Sequence, residues 1–351
     1  MKKGKSEVYF LPWREKKHLA KLIRCLRFRD HIHEGDFVAI KLHFGEKRNT
    51  GYIKPKFVIP FVQSVRKLKA LPFLTDTNII YRKPRFNAVE HLMTASGHGF
   101  KLEKCGAPII IADGLSGKNY VNVNVNKKHF KRVKIAGDIY YSQSVICLSH
   151  VTGHLLGGFA AALKNMGMGC AARSGKYEMH NSATPTVASK LCQACGVCID
   201  SCPGGALSLV RNRIQLNRHK CIGCCECIHC CPMKVFDIPW DKPAKAVNER
   251  FVEYALGATR GKPVIYFNFI NHFTEICDCL NQAQKPIIPD IGILASMDPV
   301  AIDQASYDLI SQTGKSNIFD EIYPGIGEPH QLKYAESMGL GTRDYEITRI
   351  G

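Results

Sequence analysis

Two stretches decide how this chain is read: Cys192-Gln-Ala-Cys195-Gly-Val-Cys198-Ile-Asp-Ser-Cys202-Pro203 and Cys221-Ile-Gly-Cys224-Cys225-Glu-Cys227-Ile-His-Cys230-Cys231-Pro232. With Cys225 and Cys230 set aside, each has the spacing C-x2-C-x2-C-x3-C-P. That is the spacing of a bacterial two-cluster iron–sulfur module, in which the fourth Cys of each run serves the other cluster. The expectation is that Cys192, Cys195, Cys198 and Cys231 hold one 4Fe–4S cluster, and that Cys221, Cys224, Cys227 and Cys202 hold the second. A tight loop supplies three converging thiolates, and Pro203 and Pro232 turn the chain away after the fourth by fixing φ. Paired zinc sites are the rival use of four cysteines, but they favour two C-x2–4-C knuckles rather than a triple run. Cys225 and Cys230 read as small buried fillers. Segments 206–210 and 214–216 read as a hairpin between the runs.

Working outward, helix-sized and strand-sized apolar patterns alternate on both sides of this segment. Strands are expected at 8–11, 37–44, 73–76, 108–113, 121–125, 145–150 and 264–270. Helices are expected at 14–28, 55–68, 86–96, 244–256 and from Pro299 to about Ser311, the last capped by Asp298. The fold class is therefore α/β: a layered α/β body with a small α+β ferredoxin-type two-cluster domain inserted. The boundaries follow: 1–185 for the first part of the body, 186–240 for the insert and 241–351 for the second part. The insert's place inside the body, not at one end, fixes any clusters at one spot on their host.

The chain has 351 residues, 16 cysteines and a formal charge of +18. Eight cysteines in cluster spacing call for a compartment that keeps thiols reduced, so a soluble, cytoplasmic protein of an oxygen-protected host is expected. No apolar run reaches the length of a membrane span, and the first residues lack the core of a signal peptide. The basic charge is spread out and lacks the interleaved aromatics of a single-strand nucleic-acid platform, so it does not by itself argue for nucleic acid. Around the clusters, Lys190, Arg211, Arg213, Arg218 and Lys220 outnumber Asp200 and Glu226, which suits an acidic electron-carrier protein such as a ferredoxin.

Several strands end in residues able to do chemistry, and in α/β sheets ligands collect at the carboxyl ends of strands. Candidates for a working site are His43, Glu46, Asp113, His150, His154 and Lys164. Asp76 and Lys41 lie beside them, and Lys41 and Lys164 could neutralise an anionic ligand. His150 and His154 share a face only if their segment is helical. Cys277 and Cys279 point the same way if extended; an extra metal site, a redox pair and packed thiols all stay open for them. His180 could lie between insert and body. Asp303 reads as a solvated or salt-bridged residue. Phosphate-loop patterns fail: Gly167-x-Gly169 lacks an immediately preceding strand, and Gly117-Lys118 lacks the first glycine.

The runs Lys41-Leu-His-Phe-Gly-Glu46, Thr75-Asp-Thr-Asn78, Ala107-Pro-Ile-Ile-Ile-Ala-Asp-Gly114, Gly157-Gly-Phe-Ala-Ala-Ala-Leu-Lys-Asn-Met-Gly-Met-Gly169, Cys277-Asp-Cys279 and Asp290-Ile-Gly-Ile-Leu-Ala-Ser-Met-Asp-Pro-Val-Ala-Ile-Asp303 resemble domain-of-unknown-function family 362. The similarity runs over nearly the whole chain. It departs at Gly158-Phe-Ala-Ala161, where the family often has Gly-Phe-Gly-Gly. The resemblance implies an α/β body with a two-cluster insert and supplies no reaction. Taken together, the sequence points to an iron–sulfur redox protein. It would pass electrons through two 4Fe–4S clusters to or from a substrate, cofactor or metal site in the body. The alternative is a non-enzymatic electron carrier or a maturation factor.

Overall fold

The computed structural model describes residues 4–81, 84–180, 184–222, 226–237, 242–313, 317–323 and 329–351. Eight strands form one sheet: β1 (Ser6–Pro12), β2 (Phe37–Lys41), β3 (Leu71–Asp76), β4 (Ile109–Ile111), β5 (Ser144–His150), β6 (Val264–Ile270), β7 (Gly292–Ser296) and β8 (Tyr345–Arg349). Their order is β8-β1-β7-β6-β5-β2-β3-β4. The pairings β6–β5, β5–β2, β2–β3 and β3–β4 are parallel, as is β1–β8, while β7 runs antiparallel to both neighbours. The fold is thus mixed α/β around a large, mainly parallel sheet.

The strand sequences explain the layering. β5 and β6 are continuous apolar runs, as strands covered on both faces require. On β5, Val145 and Cys147 join one core, and Ile146 and Leu148 join the other. Helices α1 (Leu19–Cys25) and α2 (Pro55–Arg66) pack on the second side, with α3 (Ala88–Gly97) at its end. Helices α4 (Ala162–Cys170), α6 (Lys242–Thr259) and α7 (Pro299–Ser311) pack on the first, and α5 (Arg173–His180) follows α4 directly.

The order β2, β3, β4 steps one way; the chain then returns to lay β5 on the opposite side of β2. The carboxyl ends of β2 and β5 therefore flank a topological switch point, the place where α/β sheets open a crevice. Helix α4 begins there. Its first amides, those of Ala162 and Leu163, donate to the Asp303 carboxylate at 2.9 Å each, and Asn268 Nδ2 donates to the same group at 2.8 Å. Asp303 is fully buried, so its expected exposure is corrected: it caps a helix on a neighbouring element. Burial foremost lifts its carboxyl to about 7. Asp298 caps α7 as expected, accepting from Val300 and Ala301. The glycines of the 157–169 stretch serve packing, not phosphate. A Cβ on Gly167 would lie 2.1 Å from the Phe251 carbonyl oxygen of α6, and one on Gly169 would lie 2.5 Å from Lys41 Nζ.

Within the expected insert, Leu207–Val210 pairs with Arg213–Leu216, and Thr186–Val187 pairs with Phe236–Asp237. These enclose a small core of Cys198, Leu207, Ile214, Cys227, Val235 and Phe236. Ile228 packs against both this core and the core of the body.

Replacing Asp303 by Ala removes a cap and takes one acceptor from the Asn268 amide, leaving it Ser306 Oγ at 3.0 Å. We expect a loss of about 1–3 kcal/mol, read as a lowered midpoint in denaturant unfolding, with Asp303→Asn losing less.

Candidate functional site

A cavity of about 140 Å³ opens at the switch point, lined by residues from the ends of β2, β3 and β5, from α4 and α5, and from the turn after β6. Its apolar wall includes Ile79, Ile80, Leu148, Leu156, Met168 and Ile276. Its polar wall draws on a buried chain of charges. Asp76, at the end of β3, meets Lys41 Nζ at 3.0 Å and Arg85 Nη1 at 3.0 Å. Arg85 Nε donates to Glu46 at 2.8 Å, and its Nη2 lies 2.9 Å from His43 Nε2. All four charged side chains are nearly or fully buried. Burial alone would raise the Asp76 carboxyl; Lys41, His43 and Arg85 overcome it and hold the group well below the ordinary carboxylate range. Lys41 also donates to Asn165 Oδ1 at 2.7 Å and the Leu42 carbonyl at 3.1 Å, so its three protons have acceptors.

Past β5 and β6 lies a second pair. His150 Nδ1 is 2.7 Å from Asp278 Oδ2, and Nε2 is 2.7 Å from the Asn271 carbonyl. Two oxygen acceptors call for a ring protonated on both nitrogens. Burial opposes the charge, but Asp278 outweighs it, and the His150 value is raised. Asp278 is itself pushed down to about 2, burial again being overcome by His150.

Cys277 and Cys279 flank Asp278 in a turn closed by Leu280 N–H donating to the Cys277 carbonyl at 3.1 Å. The segment is a turn, so the condition for both thiols to point one way as in a strand is not met. A hydrogen bond from Cys279 first, and the Lys164 ammonium against the cost of burial, pull Cys277 down to about 6. Holding that bond pushes Cys279 up to about 12. The two therefore share one proton near neutral pH. His43 Nε2 lies 3.9 Å from Cys279 Sγ. Its Nδ1 accepts from the Gly45 amide at 3.0 Å, and its Nε2 faces the Arg85 Nη2 donor at 2.9 Å, so both ring nitrogens meet donors. Deeper in the cavity, burial drops Lys176 to about 8 while it donates to Thr77 Oγ1 at 2.7 Å and the Asn78 carbonyl at 2.6 Å.

The cavity gathers His43, His150, His154, Lys164, Cys277 and Cys279, with Lys41, Asp76 and His180. It does not gather Glu46, which stands behind Arg85, nor Asp113. Asp113 is fully buried and accepts from the Asn78 amide at 2.9 Å and the Arg173 amide at 3.2 Å, ordering the loops behind the cavity. His150 and His154 come from two strands, Ser144–His150 and Thr152–His154, and not from a helix. Sequence reading missed Arg85 and Lys176. Arg85 follows a Lys-Pro pair in a loop and Lys176 sits mid-helix, and neither carries a spacing signal. Asn165 was visible only as part of the quoted Gly-rich run.

In the insert, Cys192, Cys195, Cys198 and Cys231 line a second, small apolar cavity together with Leu209, Ile214, Met233 and Phe236. Cys202, Cys221 and Cys227 lie among the described residues; Cys224 and Cys225 lie outside them. Cys230 is half-buried beside Cys198, and so is not a buried filler. Lys190, Arg211, Arg213, Arg218 and Lys220 are exposed, and so are Leu191, Val197, Leu209, Val210 and Met233. Among the described residues, no three His, Cys, Asp or Glu side chains converge as the ligands of one metal ion. No helix among them is long and apolar enough to cross a membrane.

A family model described as "Domain of unknown function (DUF362)" matches residues 38–308. A short similarity, 49% identity over 41 residues, joins the chain to "Putative oxidoreductase AegA" of Escherichia coli (strain K12) and covers 12% of this chain and 6% of that protein. A crystal structure of a Thermotoga maritima protein aligns at 10% identity over 85% of this chain and 58% of its own, with a TM-score of 0.39. The lactate racemase apoprotein of Thermoanaerobacterium thermosaccharolyticum aligns at 9% identity over 75% and 50%, with a TM-score of 0.38.

The His150–Asp278 pair makes a pH prediction. The raised imidazole contributes stability that is whole below about pH 6.5 and is lost as pH rises through its folded value. The depressed carboxyl contributes stability that is whole above about pH 4 and is lost as pH falls through its own folded value. Unfolding free energies measured from pH 5 to 9 should therefore show His150→Gln most destabilised at the acid end and converging on the parent at the alkaline end. A constant gap would show that the ring is not protonated in the fold.

Proposed function

Since the chain belongs to the DUF362 family, whose description assigns no reaction, we propose its function from its own sites: an iron–sulfur redox protein that exchanges electrons between an acidic carrier protein and the body cavity. The observation that carries this reading is the convergence of Cys192, Cys195, Cys198 and Cys231, from two separate runs, on one apolar cavity. The donor set fits the group. A cubane takes its thiolates at four separate corners, so it does not ask for the tight convergence of a single-ion site, and an apolar wall of Leu209, Ile214 and Phe236 suits a cluster shielded from water. Cys202, Cys221, Cys224 and Cys227 are proposed for the second cluster. Bound in these sites, the two 4Fe–4S clusters would supply one-electron transfer.

The chain's own residues mark out a route. Exposed Lys190, Arg211 and Arg213 rim the apolar side chains Leu191, Leu209 and Val210 beside the first cysteine cavity. An apolar centre with a cationic rim fits an acidic protein and would steer its approach. Ile228, inside the second run, is where the insert meets the body core, so the second cluster would stand on the body side. Helix α5 joins the two, because it carries Lys176 and His180 into the body cavity and its end leads into the insert. In the cavity His43 stands 3.9 Å from Cys279, and Lys164 interacts electrostatically with the Cys277–Cys279 pair. The name of the AegA similarity agrees in kind with a redox role, though it covers only a short stretch.

Anaerobically purified protein should contain about eight iron and eight sulfide per chain, and Cys195→Ser should lower both and alter the EPR of the reduced protein. Zinc without sulfide would overturn the reading. Reversing Lys190 and Arg211 to Glu should slow reduction by a dithionite-reduced acidic ferredoxin by about tenfold at low salt. The difference should vanish at high ionic strength, as stopped-flow bleaching of the cluster absorbance would read; equal rates at low salt would place the docking face elsewhere.

A further inference from the structure

We propose that Cys277 and Cys279 form the two-electron terminus of the body, cycling between an intramolecular disulfide and a thiol–thiolate pair at the mouth of the apolar cavity. Four features of the structure support this. The turn at Cys277-Asp278-Cys279-Leu280 is closed by a backbone hydrogen bond of 3.1 Å, so the chain folds back between the two cysteines. Each thiol is the foremost electrostatic influence on the other, as neighbouring sulfurs are. The Lys164 ammonium stands beside both sulfurs, and His43 stands 3.9 Å from one of them. Both cysteines line the cavity rather than a sealed core.

The step balances with one co-reactant, a one-electron carrier. Reduction breaks the Sγ–Sγ bond as two electrons and one proton enter. The proton stays on Cys279, and the negative charge rests on Cys277 against Lys164. Oxidation reverses this: the Cys279 proton leaves to water, and the two electrons return, one at a time, to a carrier of the same one-electron class. The reductant is a one-electron, low-potential carrier of the class proposed above, supplying two equivalents in turn; on this point the inference rests on that reading. The depressed Cys277 and elevated Cys279 agree with these roles, because the low-pKa thiol leaves readily as thiolate. A mononuclear metal would use the same sulfurs differently, holding both as thiolates and needing further ligands.

The test poises the full-length, anaerobically purified protein along a series of dithiothreitol potentials. Samples are quenched in acid, free thiols alkylated, and the Cys277–Cys279 peptide read by mass spectrometry. The expected result is one two-electron transition from the doubly alkylated to the unalkylated, disulfide form, with a tenfold change in ratio for about every 30 mV. Cys277→Ser and Cys279→Ser should each abolish it. Lys164→Met should leave the disulfide able to form while slowing alkylation of Cys277 at pH 7. A peptide that stays doubly alkylated even after diamide treatment overturns the proposal. So does a stoichiometric metal released only when both cysteines become Ser. Iron and sulfide assayed on the same samples separate the two readings. Full clusters without a disulfide transition sink this inference alone, whereas a disulfide transition without clusters sinks the electron-transfer reading and leaves the pair needing a thiol reductant.

Discussion

The Asp76 carboxylate, buried at the end of β3 between Lys41 and Arg85, is the constraint on which the carboxyl edge of the sheet depends. A lone carboxylate could not stay ionised at that depth. Two cations make it tolerable, and each arrives from a different place: Lys41 from the neighbouring strand, Arg85 from the loop before α3. Arg85 then needs more than one anion. Its Nε takes Glu46, which ties down the loop after β2, and the remaining fork faces His43. The desolvation of four charges is weak evidence for net stability, but removing any one strands its partners. The network is better understood as a device of position. It sets the His43 ring beside Cys279, and it sets Asn165, at the switch point, on Lys41.

The outline of this architecture was readable in the chain. Long apolar runs such as Val-Ile-Tyr-Phe-Asn-Phe-Ile at 264–270 are hard to place anywhere but in a doubly covered strand, and they lie there. Pro299 after Asp298 marked a helix start through known cap chemistry. The gathering of strand-end residues at one edge followed from the parallel order. The pairing partners of buried charges were not readable. Nothing near Arg85 says that it crosses to Glu46 and Asp76, because that contact is fixed by loop closure across residues far apart in sequence. Asp303 was misread for the same reason: its partners, Ala162 and Leu163, precede it by about 140 positions. The shape of the Cys277–Cys279 segment stayed open in the sequence, because spacing alone cannot tell a strand from a turn when the residue between is Asp, which suits turns well.

The insert is joined to the body by more than two peptide connections. Helix α5 leads from the cavity to the insert, and α6 leads back from it to pack against α4. That last contact is tight because Gly167 admits the Phe251 carbonyl where any side chain would collide. Since α4 also carries Lys164 and Asn165, a shift of α6 would be felt at the cavity wall. The elements on either side of segment 186–240 therefore bear on the site: α5 lines the cavity, and α6 packs against α4, which also lines it.

The cations of the cavity argue against a simple trap for anions. Lys41 is occupied by Asp76, Asn165 and a carbonyl; Lys176 by Thr77 and Asn78; Arg85 by Asp76 and Glu46. A carboxylate or phosphate would have to displace one of these partners and bury the displaced group unpaired, at a cost comparable to what it gained. Lys164 differs in having thiols as its neighbours, so its charge is tied to the protonation and oxidation state of Cys277. When that pair is a thiolate, Lys164 is neutralised; when the sulfurs are joined, its charge is left facing the apolar cavity. Any occupant of the cavity would thus meet a different field in the two states, and an occupant that is mainly apolar with one electron-accepting polar end would meet complementary walls on both sides.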